Sequence, residues 1–137
     1  MISLTSNTTS TFTVQPDLLS TIAIDSGLTP YYLFEFVNRN SLVKYYVLPT
    51  QISANTSYRT YQLTIPASAS LNNVTGGTIY LPTAQYDYNI YEQINQYNTG
   101  LTNTVSKVDV GMAIVHKYNT YNTAYTASNI TNTIYLI

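Results

Sequence analysis

Along most of the chain, apolar and polar residues alternate with the period of two that a half-buried β-strand requires. Ser10 to Gln15 sets Phe12 and Val14 against Thr11 and Thr13, and stops at Pro16, which has no N–H to give to a ladder. Leu18 to Ile24 is read as a second strand, ending at the turn Asp25-Ser26-Gly27. Tyr31 to Val37 places Tyr32, Phe34 and Phe36 on one face, and Tyr31, Leu33, Glu35 and Val37 on the other. The turn-forming run Asn38-Arg39-Asn40-Ser41 then joins it to Leu42–Leu48 as a hairpin. After a polar stretch, Ser57 to Ile65 resumes the alternation. Thr78 to Leu81 reads as a short strand between Gly76-Gly77 and Pro82. Gln85 to Gln93 points Tyr86, Tyr88 and Ile90 one way and Asp87, Asn89 and Tyr91 the other. In Val105 to Val115, the pattern predicts Val108, Val110, Met112 and Ile114 on one face, with Gly111 marking a bulge or a close approach. Ile130 to Ile137 closes the chain as a final strand.

About seven to nine short strands, with turn signals every 8–12 residues or so, predict an all-β, antiparallel Ig-like β-sandwich. No unit recurs at a fixed period. Residues 1–9 are polar and weakly patterned, and are expected to form an N-terminal arm. Residues 10–137 form the single domain, with 117–129 as a low-complexity Tyr/Asn/Thr loop leading into the C-terminal extension.

Composition changes the picture of the surface more than that of the core. Only 8% of residues are charged while 45% are apolar or aromatic, against about 25% charged in an ordinary soluble domain. Thr, Ser and Asn make up about a third of the chain and Tyr contributes 15 residues, so neutral hydrogen-bonding groups stand where charges usually do. Five basic residues and a net charge of −1 leave no electrostatic footprint for nucleic acid. The absence of Cys excludes disulfides and thiolate metal sites, and a single His excludes a multi-histidine metal site within one chain. No apolar run is long enough to span a bilayer. Met1 to Thr9 has neither the basic nor the apolar region of a secretory signal, so a cytoplasmic origin and no membrane partner are expected.

Candidate chemistry is sparse. His116 has no nucleophile motif around it, and Asp87 and Glu92, at odd separation on one strand, face opposite ways. Glu35 is expected to pair with Arg39 or Lys44 across the hairpin, and Asp17 and Asp25 to cap turns. No catalytic residue, cofactor or metal is predicted. The tyrosines within strands are expected to fill the space between sheets with their hydroxyls at the rim. Tyr118, Tyr121 and Tyr125 instead form a candidate interface, because Tyr combines large contact area with low entropic cost.

The segments Tyr31-Tyr32-Leu33-Phe34-Glu35-Phe36-Val37-Asn38, Lys44-Tyr45-Tyr46 and Tyr58 to Ile65 are followed by Gly77, Tyr86-Asp87-Tyr88-Asn89-Ile90-Tyr91-Glu92-Gln93, and Val108 to Val115 around Gly111. This series resembles a group of small virion proteins of tailed phages infecting Bacteroidetes and marine bacteria, including crAss-like phages. In that group an F-x-F-x-N hairpin, a Y/F-x-x-F strand, a Y-x-Y-x-I/V-Y-E strand and a late V-x-x-G strand recur in this order. The resemblance implies an Ig-like, non-enzymatic auxiliary or decoration protein on the capsid shell. Its implied partners are the major capsid protein or other virion proteins, with self-association as a further option. The chain departs from the group in its longer Tyr/Asn/Thr-rich C-terminal segment and in lacking an acidic loop after the Y-E strand. A glycan-binding virion module, holding sugars against exposed aromatics, is the alternative expectation.

Overall fold

The computed structural model describes residues 1–20, 29–54 and 58–118. Among them eight strands form two packed sheets: β1 (Ile2–Thr5), β2 (Thr9–Val14), β3 (Tyr31–Asn38), β4 (Lys44–Val47), β5 (Thr50–Ala54), β6 (Arg59–Thr64), β7 (Ala84–Gln93) and β8 (Ser106–His116). One sheet has the order β1-β8-β7-β3-β4 and the other β2-β6-β5. The protein is therefore an all-β sandwich. Every strand pair is antiparallel except β1 with β8, which run parallel with Ile2 opposite Ala113 and Leu4 opposite Val115.

The alternation read in β3 and β7 sets the core. Tyr32, Phe34 and Phe36 lie beside Ile90, Tyr88 and Tyr86 on the inner face. They meet Phe12, Val14, Tyr61 and Leu63 from the smaller sheet. At the centre, Phe34 contacts Phe12 and Tyr61 edge to face, with ring centroids 5.7 and 5.2 Å apart, an arrangement favoured by the ring quadrupoles. The hairpin β3–β4 forms as expected: Asn38 Oδ1 accepts the N–H groups of Asn40 and Ser41, and Leu42 completes the turn with φ of 62°.

Several expectations are corrected. Residues 1–9 are not a polar arm, because Ile2 and Leu4 are buried in the core as β1; two well-placed aliphatics on a short edge strand are enough to dock it. Leu18 and Leu19 end a 3-10 turn, Pro16–Leu19, rather than starting a strand, as Pro at the turn's first position favours; residues 21–24 of the expected strand Leu18–Ile24 lie outside the described residues. The polar stretch after Pro49 contains β5, whose five residues are all exposed and so carry no alternation. Thr78 makes only isolated bridges, so Thr78–Leu81 forms no ladder.

In β8 the predicted face is broken. The pairing slips between Ile90 and Tyr91, which oppose Asp109 and Lys107, leaving Val108 as the extra residue of a bulge. Val108 is buried, but the slip turns Val110 and Met112 outward, exposed by 58% and 40%, and gives the inner face to Ala113 and Val115. Gly111 marks a close approach by a side chain: a Cβ there would lie 2.5–2.7 Å from two ring carbons and the hydroxyl oxygen of Tyr88.

Candidate interaction surface

Most polar groups that could carry chemistry are committed to neighbours. Arg39 pairs with Asp87, not Glu35, through Nη2 at 2.8 Å on the exposed face. Glu35 is instead buried on the outer face of the larger sheet, where it accepts hydrogen bonds from the Tyr46 hydroxyl at 2.8 Å, Asn89 Nδ2 at 2.6 Å and the Tyr91 hydroxyl at 3.4 Å. Burial, with the Glu35 carboxylate beside it, pushes the Tyr46 hydroxyl up to about 12 and raises Tyr91 as well. Asp17 does not cap a turn with its side chain: its carboxylate takes Arg59 Nε at 2.8 Å and the Tyr32 hydroxyl. Glu92 faces inward, opposite to Asp87 as its spacing predicts, and accepts from Ser20 Oγ at 2.6 Å and Ser106 Oγ at 2.8 Å. Among the described residues no three His, Asp or Glu side chains cluster as metal ligands, and no helix is long and apolar enough to cross a membrane.

Of the strand tyrosines, Tyr32, Tyr61, Tyr86 and Tyr88 are buried between the sheets, whereas Tyr46 and Tyr91 lie on the outer face with Glu35 and Tyr31 is exposed. Tyr86 reaches the rim, where its hydroxyl donates to the Pro82 carbonyl at 2.6 Å. Of the three tyrosines expected at an interface, Tyr118 is exposed at the end of β8, its N–H bound by Ser6 Oγ at 2.8 Å. Tyr121 and Tyr125 lie outside the described residues.

Two surfaces that sequence reading missed stand out. The first follows from strand lengths: β8 has eleven residues, but β1 covers its outer side only from Ala113 to His116. Among the described residues, nothing pairs with the outer side of β8 from Ser106 to Met112. The Val110 N–H on this stretch is held by the carboxylate of Asp109 at 2.8 Å in place of a strand, a charged guard of the kind that protects open edges. Beside it a groove of about 570 Å³ runs between β8 and β2, walled by Val14, Leu18, Leu19, Tyr58, Tyr88 and Val108 together with the polar Thr13, Gln15 and Asp109. Leu18 and Leu19, each 66% exposed, together with Val105, Val110 and Met112 give this edge an apolar margin. The apolar run of β8 was visible in the sequence. Its exposure depends on the bulge and on the shortness of β1, neither of which leaves a signal in composition.

The second surface is a cleft of about 370 Å³ on the opposite flank, between the start of β3, the β4–β5 connection and the loop after β7. Tyr32, Gln51, Arg59, Tyr61, Gln96 and Tyr97 line it. Arg59 is held there by Asp17 and by Gln51 Oε1 at 2.8 Å, and stacks 5.0 Å from the Tyr32 ring centroid. The loop carrying Gln96 and Tyr97 is clasped by paired amides, Gln93 Nε2 to the Asn98 carbonyl and Asn98 Nδ2 to Gln93 Oε1, both at 2.8 Å.

Comparison of the chain with protein-family models, curated proteins and solved structures returned no match.

Proposed function

We propose that this chain is a non-enzymatic structural protein of a virion, an auxiliary or decoration protein with an Ig-like sandwich fold that binds the capsid shell of a tailed phage during assembly in the host cytoplasm. The Ig-like reading draws on strand order. Sheets β2-β6-β5 and β8-β7-β3-β4 follow the B-E-D and G-F-C-C′ arrangement of that fold, with β1 added beside β8. It draws also on Tyr86, near the start of β7, whose hydroxyl returns to the backbone four residues upstream in the manner of a tyrosine corner.

The observation that carries the structural role is the character of the exterior. Two ion pairs join the described residues, while Leu18, Leu19, Ile94, Tyr97, Val105 and Val110 are each more than half exposed. A free monomer gains solubility from charge, whereas a protein fixed in a lattice does not need it. The resemblance described above supplies the lattice: a phage capsid, with the major capsid protein as partner.

Attachment through neutral and apolar groups is insensitive to screening, which shortens the Debye length to about 3 Å at 1 M salt. Purified particles washed in molar salt should therefore retain the protein, in copy numbers comparable with the shell protein. Release by salt alone, or absence from purified particles, would overturn the reading. The tyrosine- and amide-lined cleft favours a second reading, a glycan-binding virion module. Glycan-array binding that is abolished by Tyr97→Ala would establish it.

A further inference from the structure

Tyr61 carries a buried hydroxyl whose proton has no acceptor, and it lines the cleft between the start of β3, the β4–β5 connection and the loop after β7. We propose that this cleft binds the end of an uncharged saccharide chain, with the Tyr61 hydroxyl donating to a sugar oxygen and Tyr97 packing against the ring. The inference rests on the glycan-binding reading of the cleft, and adds to it the charge class of the sugar and the residue that recognises it.

The hydroxyl is the starting point. Tyr61 is 4% exposed, and burial pushes its pKa well above the usual tyrosine value, so it holds its proton and remains a donor. Its oxygen faces the Arg59 guanidinium, a group that has donors only, and among the described residues no acceptor lies within hydrogen-bonding distance of its proton. Two other buried tyrosines are engaged: Tyr32 donates to Asp17 and Tyr86 to the Pro82 carbonyl. A buried donor without an acceptor carries a desolvation cost, which a ligand oxygen in the cleft removes. Gln51 adds a second donor, because Arg59 Nη1 occupies its Oε1 at 2.8 Å and leaves Nε2 to give hydrogen bonds.

Charge selects an uncharged ligand. Among the described residues that line the cleft, Arg59 is the one ionised group, and Asp17 already neutralises it through Nε at 2.8 Å. Both Asp17 oxygens are taken, one by Arg59 and the other by the Tyr32 hydroxyl. A carboxylate or sulfate entering here would lose its hydration with no unpaired cation to receive it. A sugar hydroxyl is donor and acceptor at once, and meets Tyr61 and Gln51 without that cost. Shape agrees. Tyr97, 67% exposed, stands on a loop clasped by the Gln93 and Asn98 amides, so its ring is held in place with little loop entropy left to lose on binding. The volume of about 370 Å³ is at the small end of the range for small-molecule sites and suits about one or two sugar rings, hence a chain end.

The test uses the full chain on a glycan array of neutral, uronate-containing and sialylated oligosaccharides, followed by calorimetric titration with the best neutral oligosaccharide of the array. Neutral chains should bind saturably and acidic ones should not. Tyr61→Phe, which removes only the hydroxyl, should weaken the titrated binding about tenfold, the equivalent of one hydrogen bond. The same variant should leave the thermal midpoint of the unliganded protein close to the parent's, because the lost donor had no acceptor there. Tyr97→Ala should remove binding. Acidic chains bound as strongly as neutral ones, or neutral binding that Tyr61→Phe does not weaken, would overturn this inference and leave the glycan-binding reading standing. Binding of no chain on the array, or binding indifferent to Tyr97→Ala, would overturn both.

Discussion

Leu4→Ala tests whether the first residues of the chain belong to the folded core. Leu4 is fully shielded and lies opposite Val115 on β8, one turn of the pleat from Ile2, which is 3% exposed. Truncating a buried leucine costs the transfer free energy of the lost methyls plus a cavity term, about 2–5 kcal/mol in total. β1 is a four-residue edge strand, whose neighbours can close part of the gap, so the expected loss is in the lower part of that range, about 2–3 kcal/mol. Against a total stability of about 5–15 kcal/mol for a single domain, this is a large fraction. Ser3, exposed between Ile2 and Leu4 and paired with Ile114, is the control: Ser3→Ala should change stability by less than about 0.5 kcal/mol. Urea unfolding followed by tyrosine fluorescence reads both, with the midpoint falling for Leu4→Ala at unchanged slope. If the two variants have coincident midpoints, β1 is not part of the cooperative unit and residues 1–9 behave as the dispensable arm that their polarity suggests.

Leu42→Asn should stabilise the protein by about 1 kcal/mol in the same assay, because Leu42 is 70% exposed and adopts a left-handed φ of 62° that costs a leucine about 1–2 kcal/mol and an asparagine less; an unchanged or lowered midpoint would contradict this. Alkaline pH should destabilise the fold. Tyr46 and Tyr86 are pushed from 10.0 up to about 12, chiefly by burial, so between those values the folded state holds protons that the unfolded chain has released. Their contribution is complete below pH 10 and is lost as pH rises towards 12. Urea midpoints measured across this window should fall, and Tyr46→Phe, which no longer titrates, should flatten part of the slope.

The parts of the fold that are legible in sequence are those where one residue governs one face. In β3 and β7 the tyrosines and phenylalanines alternate without interruption and their register follows, as does the hairpin turn that Asn38 organises. β5 was not legible because a strand exposed throughout has no buried face to mark it. β8 misled because a single extra residue, Val108, reverses the facing of everything after it, and a period of two cannot reveal an insertion in the ladder. The partners of Glu35 were misread for a related reason. Lys44 and Arg39 are near it in sequence, but the carboxylate sits on the buried middle of the sheet, where Tyr46, Asn89 and Tyr91 arrive from the adjacent strands. Of the candidate interface, the exposure of Tyr118 follows from its polar surroundings. The open edge and the groove arise from the relative lengths of two strands far apart in sequence, a property of the assembled sheet.

The parallel pairing of β1 with β8 also sets the order of events in folding. Residue 2 meets residue 113, so this contact closes nearly the largest loop the described chain allows and forms late, after the local hairpins and the β7–β8 ladder have reduced the search. A nascent chain therefore carries its first strand undocked until its last described strand has been made. Once β8 has formed, its side from Ala113 to His116 stays an open edge until β1 docks on it. Two chains that reach this stage together are each able to dock β1 on the other's open edge, so concentrated refolding should raise the share of exchanged pairs and dilute refolding should lower it, which size-exclusion chromatography of the two products checks.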